Sequence, residues 1–198
     1  MIGWYGTNEL AALTLGHTCL FFIYITLTGF SLAVITNVSR AFGKDDTEAL
    51  RINFRMGLWL VFAFSLFGLA LVSNTSTFLT FLEQDEYIVE IVSEYIQIVQ
   101  WMMPFLLLTY VIKAFLISVK KQQVVLFISI LGLITNFIFN YLFIFGNFGF
   151  PELGITGVAC SSLLTSICMM LSGLLYIHLS DLKEKQIFKD FFVFDAEI

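Results

Sequence analysis

The sequence is poor in charged residues and rich in apolar ones. Of its 198 residues only 13% are charged and 59% are hydrophobic, and the mean hydropathy is +0.90. Soluble globular domains carry about 25% charged residues. The composition therefore excludes an ordinary soluble domain.

Residues that build catalytic or metal sites are also scarce. Cys19, Cys160 and Cys168 form no C-x-x-C pair and lie in apolar stretches, so we interpret them as packing residues. His17 and His178 have no second metal ligand at helical spacing, and no serine or cysteine at a catalytic offset. We expect no enzymatic activity, no catalytic residue and no organic cofactor.

What the sequence has instead is a set of five long stretches without a charge. They cover residues 10–39, 56–82, 95–112, 122–151 and 153–180. About 20 apolar residues in a helix cross a hydrocarbon core about 30 Å thick. We predict an all-α membrane domain over residues 1–179, followed by a tail over 180–198. Its five transmembrane helices are expected at approximately 11–36, 56–82, 91–118, 124–146 and 156–178.

The charges between these stretches are sorted by sign. All basic residues except Lys113 lie in alternate connections or in the tail, and by the positive-inside rule that side is cytoplasmic. The charged side chains of the opposite connections are all acidic, for example Glu86 and Glu152. We therefore expect an outer amino terminus and a cytoplasmic carboxyl terminus. A net charge of -5 without a basic, aromatic-rich patch argues against a nucleic-acid partner.

Three local signals predict breaks or turns. Pro104 should kink the third span, because proline removes a backbone hydrogen bond. Residues 47–55 form an amphipathic run that we expect to lie at the interface, capped by the polar residues 45–47. The glycines and the proline in 146–151 predict a tight hairpin on the outer face.

Polar groups inside the apolar stretches are costly in hydrocarbon, so they are where function is sought. Asn136 and Asn140 lie four residues apart, on one face of the fourth span, and Gly132 extends that face by one turn. Stacked amide oxygens can coordinate a hard cation or hold a carboxylate of a facing helix. Alternatively, the pair joins two helices by hydrogen bonds, with Gly132 allowing close approach. The spacing leaves both readings open.

Several segments resemble a known transporter family. LITNFIFNYLFIFG (133–146) and FGFPELGITG (148–157) are similar to the fifth helix, outer hairpin and sixth-helix start of the multidrug and toxic compound extrusion (MATE) family. MIGWYGTNELAALTLG (1–16), RAFGKDDTEALR (40–51) and Pro104 agree with it. The resemblance covers nearly the whole chain and corresponds to helices two to six of twelve. It therefore implies a partial amino-terminal lobe, with the tail as the start of an inter-lobe linker.

The resemblance implies secondary active multidrug efflux in the bacterial inner membrane. Family members export lipophilic, often cationic, small molecules in antiport with sodium or protons. An aspartate on their first helix works with two asparagines, which match Asn136 and Asn140, as the coupling-ion site. Ser162, and less closely Ser161, lies where some members place a hydroxyl. The first helix and the second lobe would then be partners that this chain lacks.

A substrate cavity and one charge complete the candidates. Tyr24, Trp101, Met103 and Tyr110 can line a cavity for flat lipophilic cations through dispersion and cation–π contact. Packing within the bundle is the alternative for each. Lys113 lies near the cytoplasmic end of its span, and we interpret it as reaching the interface with its long stem.

Two other functions stay open. One is a non-transporting remnant, or a partner subunit of a membrane complex. The other is a lipid-linked oligosaccharide flippase, which is less favoured. Such a flippase needs several basic residues in the membrane to neutralise a pyrophosphate, whereas Lys113 alone lies there.

Overall fold

The computed structural model describes residues 3, 7–81, 83, 86–183 and 187. Its helices, in chain order, are α1 (Thr7–Gly43), α2 (Thr47–Val72), α3 (Thr75–Phe81), α4 (Glu86–Val99), α5 (Met102–Ser118), α6 (Gln122–Phe145) and α7 (Gly154–Leu179). Single 3-10 turns follow at Asn147–Gly149 and Asp181–Lys183. These residues include no strand. Residues 1–2 and 4–6 of the matched amino-terminal segment lie outside the described residues, as does most of the predicted tail, including Lys185 and Lys189.

The predicted membrane architecture is confirmed. Helices α1, α2, α6 and α7 are each long and apolar enough to cross a bilayer. Helices α4 and α5 pass the same test as a pair, bent by 51°. The described part of the chain therefore has four candidate spans, or five if the bent pair is one span, in the order that the uncharged stretches predict.

The third span bends near the residue that the sequence singles out. Helix α4 ends at Val99 and α5 begins at Met102, just before Pro104. Proline has no N–H, and its ring clashes with the carbonyl four residues earlier, here that of Gln100. That carbonyl accepts a hydrogen bond from the Met103 backbone N–H instead, at 3.0 Å. The predicted kink is thus confirmed.

The second span is displaced from its predicted position. Helix α2 begins at Thr47, and Asp46 caps it by accepting from the Ala49 N–H at 3.0 Å, so the predicted cap is confirmed. The amphipathic run predicted over 47–55, ahead of the second span, forms the first turns of α2 and is continuous with that span. No glycine or proline interrupts them, and Leu50 and Phe54 anchor them in the core at 1% exposure each. The end of the uncharged stretch is therefore a poor guide to the helix boundary.

The carboxyl-terminal end of α2 also comes earlier than the predicted residue 82. The helix ends at Val72, and α3 is a separate short helix. Asn74 Nδ2 and Ser73 Oγ both donate to the Ala70 carbonyl, at 2.7 and 3.1 Å. Such side-chain bonds compete with the backbone ladder and favour a helix end.

Helix α5 lies at the centre of the bundle and packs against α1, α2 and α7. Phe115 on α5 is fully buried, and its ring lies 4.3 Å from that of Phe54 on α2. Helix α6 lies at one side, where it packs mainly against α7. The core is therefore formed by α1, α2, α4, α5 and α7, and one side of α6 is joined to it.

The predicted hairpin between α6 and α7 is confirmed. Gly146 ends α6 in the left-handed region, with φ 64°, and the Leu153 N–H donates to the Phe143 carbonyl at 2.9 Å. A methyl group at Gly146 would lie 2.8 Å from the backbone nitrogen of Glu152. Only glycine fits this position well, because both the φ angle and the space exclude a side chain. The hairpin sets α6 and α7 antiparallel.

Candidate cation site on α6

Helices α6 and α7 approach each other closely at two glycines. A methyl group at Gly157 would lie 2.7 Å from the carbonyl oxygen of Phe143, and one at Gly132 would collide with the side chain of Met169. Small residues at such positions let membrane helices pack backbone to backbone. The close approach that the sequence predicts for Gly132 is present, and its partner is α7.

These contacts set the register of the two helices. The two contacts are 11 residues apart on α6 (132 to 143) and 12 apart on α7 (157 to 169), in opposite directions along the chain. Asn140 therefore lies near the level of Ser161, and Asn136 near the level of Thr165. The two asparagines stand between the glycine contacts, on the stripe of α6 that both contacts share.

The asparagines hydrogen-bond to each other. Asn140 Nδ2 donates to Asn136 Oδ1 at 2.9 Å, and both residues are half-buried. In the described residues Asn140 Oδ1 is buried and has no hydrogen-bond partner. A buried acceptor left without a partner costs about 1–3 kcal/mol. The pair thus presents one fully free amide oxygen and the second lone pair of another.

Both asparagines line a cavity. Its volume is about 310 Å³, and it is lined by Leu13, Leu133, Asn136, Phe137, Asn140, Ile144 and Val158. Leu13 comes from α1 and Val158 from α7, so three helices meet there. The asparagines are its two polar residues. Polar side chains that line an otherwise apolar cavity are typical of a binding site.

The hydroxyl groups of α7 differ in their availability. Ser161 is buried, and its hydroxyl donates to the Gly157 carbonyl at 2.7 Å, within its own helix. Ser162 is half-buried, one turn beyond the cavity residue Val158 on the same face. Thr165 is 8% exposed, and its Oγ1 lacks a hydrogen-bond partner among the described residues.

Thr165 is thus a candidate that sequence reasoning missed. Its signal was present: threonine four residues after Ser161 repeats the spacing of Asn136 and Asn140 on the other arm of the hairpin. Only the register of the two arms, which rests on where the glycines meet, shows that these polar pairs lie at the same depth.

The available groups suit a hard cation or a proton donor. Amide and hydroxyl oxygens are ligands that hard cations prefer. Asn140 Oδ1 can equally accept a hydrogen bond from a protonated carboxyl group. Among the described residues, no three acidic, histidine or cysteine side chains cluster in a way that could hold a metal ion. The oxygens found here are therefore neutral.

In the described residues the asparagine pair does not link α6 to α7. Their hydrogen bond stays within α6, and no described residue of α7 bonds to either amide. The close contact of α6 with α7 rests on the glycines instead.

Of the four substrate-cavity candidates, the structure brings only two together. The rings of Tyr24 on α1 and Tyr110 on α5 meet edge to face, with centroids 5.4 Å apart. Trp101 is 57% exposed at the break between α4 and α5. Met103 is 2% exposed, and its side chain faces Gly68 of α2 inside the core. Met103 is therefore not placed on an open surface.

A separate apolar cavity was not predicted from the sequence. It has a volume of about 370 Å³ and is lined by Leu58, Trp59, Phe62, Leu108, Ile112, Met170 and Leu174. These residues belong to α2, α5 and α7. No sequence signal marks the cavity, because its aliphatic and aromatic side chains are the ordinary residues of a membrane helix.

Comparison with known proteins gives the family. The MatE family model matches residues 1–142. A protein of Rhizobium meliloti (strain 1021) named "Probable multidrug resistance protein NorM" is 34% identical over 163 residues, which are 82% of this chain and 35% of that protein. Proteins of the same name from Agrobacterium fabrum and Pseudomonas aeruginosa are 28% and 31% identical, over 90% of this chain.

This chain spans 35–38% of the length of these three relatives. The match to the family model covers most of the chain, and the helices found in the structure fit a multi-pass membrane protein. The chain therefore belongs to the multidrug and toxic compound extrusion (MatE) family.

Proposed function

We propose that the chain works as part of a secondary active transporter that exports lipophilic or cationic small molecules in exchange for sodium ions or protons. Relatives named as multidrug resistance proteins support the efflux of drugs. The observation that carries the coupling part is the unpartnered Asn140 Oδ1 beside the cavity on α6.

The proposed coupling uses the neutral oxygens of α6 and α7. A sodium ion would take Asn140 Oδ1, Asn136 Oδ1 and Thr165 Oγ1 as ligands, together with a carboxylate from the first helix that the family resemblance implies. With protons, the same carboxyl group would be protonated and would donate to Asn140 Oδ1. With either sodium or protons, Asn140 Oδ1 has a partner when the ion is bound and none when the ion has left. Ion release therefore raises the energy of this arrangement and favours a change of conformation.

Substrate and ion are coupled if their binding excludes each other in one conformation. The affinity of each then falls by the same factor when the other is bound. Rocking of two lobes around a fixed site would carry both across the membrane in opposite directions. In this proposal the chain supplies most of one lobe, with its amino terminus outside and its carboxyl terminus in the cytoplasm.

The coupling proposal is tested by Asn140→Leu in a transporter that joins this chain to a first helix and a second lobe. We expect ion-driven efflux per folded molecule to be lost, with membrane insertion near normal, because leucine is readily accommodated in a membrane helix. The control is Asn74→Leu at the end of α2, where the side chain only donates to the Ala70 carbonyl. Full efflux in Asn140→Leu, with only a lowered melting temperature, would refute the ion site.

The orientation is tested by thiol labelling in a background without the native cysteines. Cysteines that replace Glu86 and Glu152 should react with an impermeant reagent in intact cells. Cysteines that replace Lys44 and Lys120 should react only after the cells are permeabilised, because basic connections stay in the cytoplasm. Labelling at position 120 in intact cells would reverse the proposed orientation.

A further inference from the structure

A charged side chain of α5 lies within a candidate membrane span, away from the asparagines. Lys113 is on α5, five residues before the helix ends at Ser118, and its Nζ donates to Ser129 Oγ on α6 at 3.1 Å. Ser129 is seven residues after the start of α6. The ammonium therefore lies roughly 10 Å below the ends of both helices. It points across to α6, where Ser129 holds it.

The charge of Lys113 is not neutralised within the described part of the chain. Its side chain is half-buried, and no carboxylate there lies within ion-pair distance of it. The ion pair closest along the chain joins Lys121 and Asp181, at 3.6 Å, near the helix ends. An ammonium has three N–H donors, of which Ser129 takes one. A charge at this depth without a counter-ion is costly, so a partner is expected.

Ser129 is suited to hold the ammonium in place. Its own hydroxyl hydrogen goes to the Val125 carbonyl at 2.8 Å, which leaves the oxygen lone pairs to accept from Lys113. The bond therefore fixes Nζ in the crevice between α5 and α6. The two remaining N–H donors stay available for an anion.

The surroundings of the crevice are amphiphilic. Lys120 lies exposed in the turn that joins the two helices. Deeper in the membrane, the neighbouring positions of both helices carry exposed apolar side chains, namely Ile117, Leu126, Ile130 and Leu133. Two positive charges, Lys120 and Lys113, thus lie next to an apolar surface. This arrangement complements an anionic lipid, whose charged headgroup lies at the interface and whose acyl chains lie in the membrane core.

We propose that the crevice between α5 and α6 binds the phosphate headgroup of an anionic phospholipid from the cytoplasmic leaflet. Lys113 is the ligand, Ser129 positions it, and Lys120 adds attraction at the entrance. Basic pockets between transmembrane helices on the cytoplasmic side bind anionic headgroups in this way. A lipid fits better than a soluble anion, because the apolar side chains that border the crevice offer a surface for its acyl chains.

The test uses the 198-residue chain in lipid nanodiscs of phosphatidylcholine with or without phosphatidylglycerol, and native mass spectrometry counts the lipid that stays bound. We expect phosphatidylglycerol to be retained in preference, and Lys113→Met to reduce this retention about fivefold. Lys113→Arg should restore most of it. The matched control is Lys44→Met, which removes the same charge from the exposed turn after α1 and should change nothing.

The outcomes separate the sources of the anion. Equal retention of phosphatidylglycerol by the native chain and Lys113→Met would overturn the proposal. It would also fail if inorganic phosphate, added to phosphatidylcholine nanodiscs, raised the melting temperature as much as phosphatidylglycerol does and in a Lys113-dependent way, because the site would then take a soluble anion. If Lys113→Met does not insert, Ser129→Ala decides: we expect reduced lipid retention with a melting temperature near that of the native chain, and unchanged retention would refute the positioning role.

Discussion

Helices α5 and α6 are neighbours in sequence and similar in composition, yet they have opposite environments. Lys113 is the single charged residue of α5, and α6 has none. Nine of the 17 residues of α5 are buried, against three of the 24 of α6. Helix α5 lies in the middle of the bundle, whereas α6 borders α7 and is otherwise largely exposed.

The difference shows that hydropathy identifies a membrane helix but does not predict which of its residues are buried against other helices. Lipid tails and protein interiors are both apolar, so no hydrophobic force sorts the faces of a helix in the bilayer. Packing detail decides instead. The buried residues of α6 are Ile128, Gly132 and Ile144. They lie on the stripe that carries Asn136 and Asn140, which shows that the polar pair marks the packed side of the helix.

The different burial of α5 and α6 predicts the largest change in stability when a phenylalanine is replaced by alanine. Phe115→Ala on α5 should lower the free energy of unfolding by about 3 kcal/mol, because it removes a fully buried ring that packs at a tilt against the ring of Phe54. Phe137→Ala on α6 removes a ring that is 62% exposed and should change it by less than about 0.5 kcal/mol. Reversible denaturation in detergent micelles measures both. Similar losses in the two variants would mean that α6 is as tightly packed as α5.

The next effect concerns the point where α6 meets α7. Gly157→Ala should cost about 2 kcal/mol, because the methyl group would lie 2.7 Å from the Phe143 carbonyl oxygen, which belongs to the backbone and cannot rotate away. Gly29→Ala is the matched control, since its methyl group would meet nothing within 4 Å. That variant should be neutral or stabilising by up to about 1 kcal/mol, as alanine favours a helix. A neutral Gly157→Ala would show that the two helices are not held at this distance.

The sequence predicts the spans well and their ends less well. The order of the apolar spans, the bend at Pro104 and the hairpin at Gly146 follow from hydropathy and from local backbone chemistry, and the structure has all of them. The predicted five spans are reached when the bent pair is taken as one. The start of α2 does not follow, because charged residues such as Arg51 continue a helix that tertiary packing holds. A boundary set by charge alone therefore lies about two turns too late.

The site was predictable in part for a related reason. Asn136 and Asn140 are conspicuous because each is polar in an apolar helix, and four-residue spacing places them together. Thr165 is not conspicuous, since membrane helices commonly contain threonines that bond to their own backbone. Its position opposite Asn136 depends on a contact between two helices, which no local pattern encodes.

A smaller effect is expected at the water-exposed start of α2. Asp46→Ala should destabilise the protein by about 1 kcal/mol, because the Ala49 N–H loses its acceptor at 3.0 Å. Asp46→Asn keeps a side-chain oxygen and should cost only a few tenths of a kcal/mol. Thermal melting in detergent distinguishes the two variants. If both melt at the native temperature, the helix start is held by core residues such as Leu50 and not by its cap.

The smallest change in stability is expected for threonine-to-valine variants of α5 and α7. Thr109 on α5 and Thr165 on α7 are both buried, at 1% and 8% exposure. The hydroxyl of Thr109 donates to the Phe105 carbonyl at 2.7 Å, whereas that of Thr165 has no partner among the described residues. Valine has the same shape as threonine without the hydroxyl. Thr109→Val should therefore cost about 0.5–1 kcal/mol, the net value of a hydrogen bond, while Thr165→Val should be neutral or slightly stabilising.

The expected neutral or stabilising effect of Thr165→Val connects stability with function. A buried hydroxyl that no part of the fold satisfies costs free energy, and it is retained where a ligand uses it. In a transporter completed with its first helix and second lobe, Thr165→Val should thus weaken the dependence of efflux on the coupling ion even though the protein is no less stable. Thr109→Val should do the reverse, losing stability while the ion dependence per folded molecule stays native. If Thr165→Val lowers the melting temperature as much as Thr109→Val and leaves ion dependence intact, Thr165 is a packing residue, and the coupling site reduces to the asparagines.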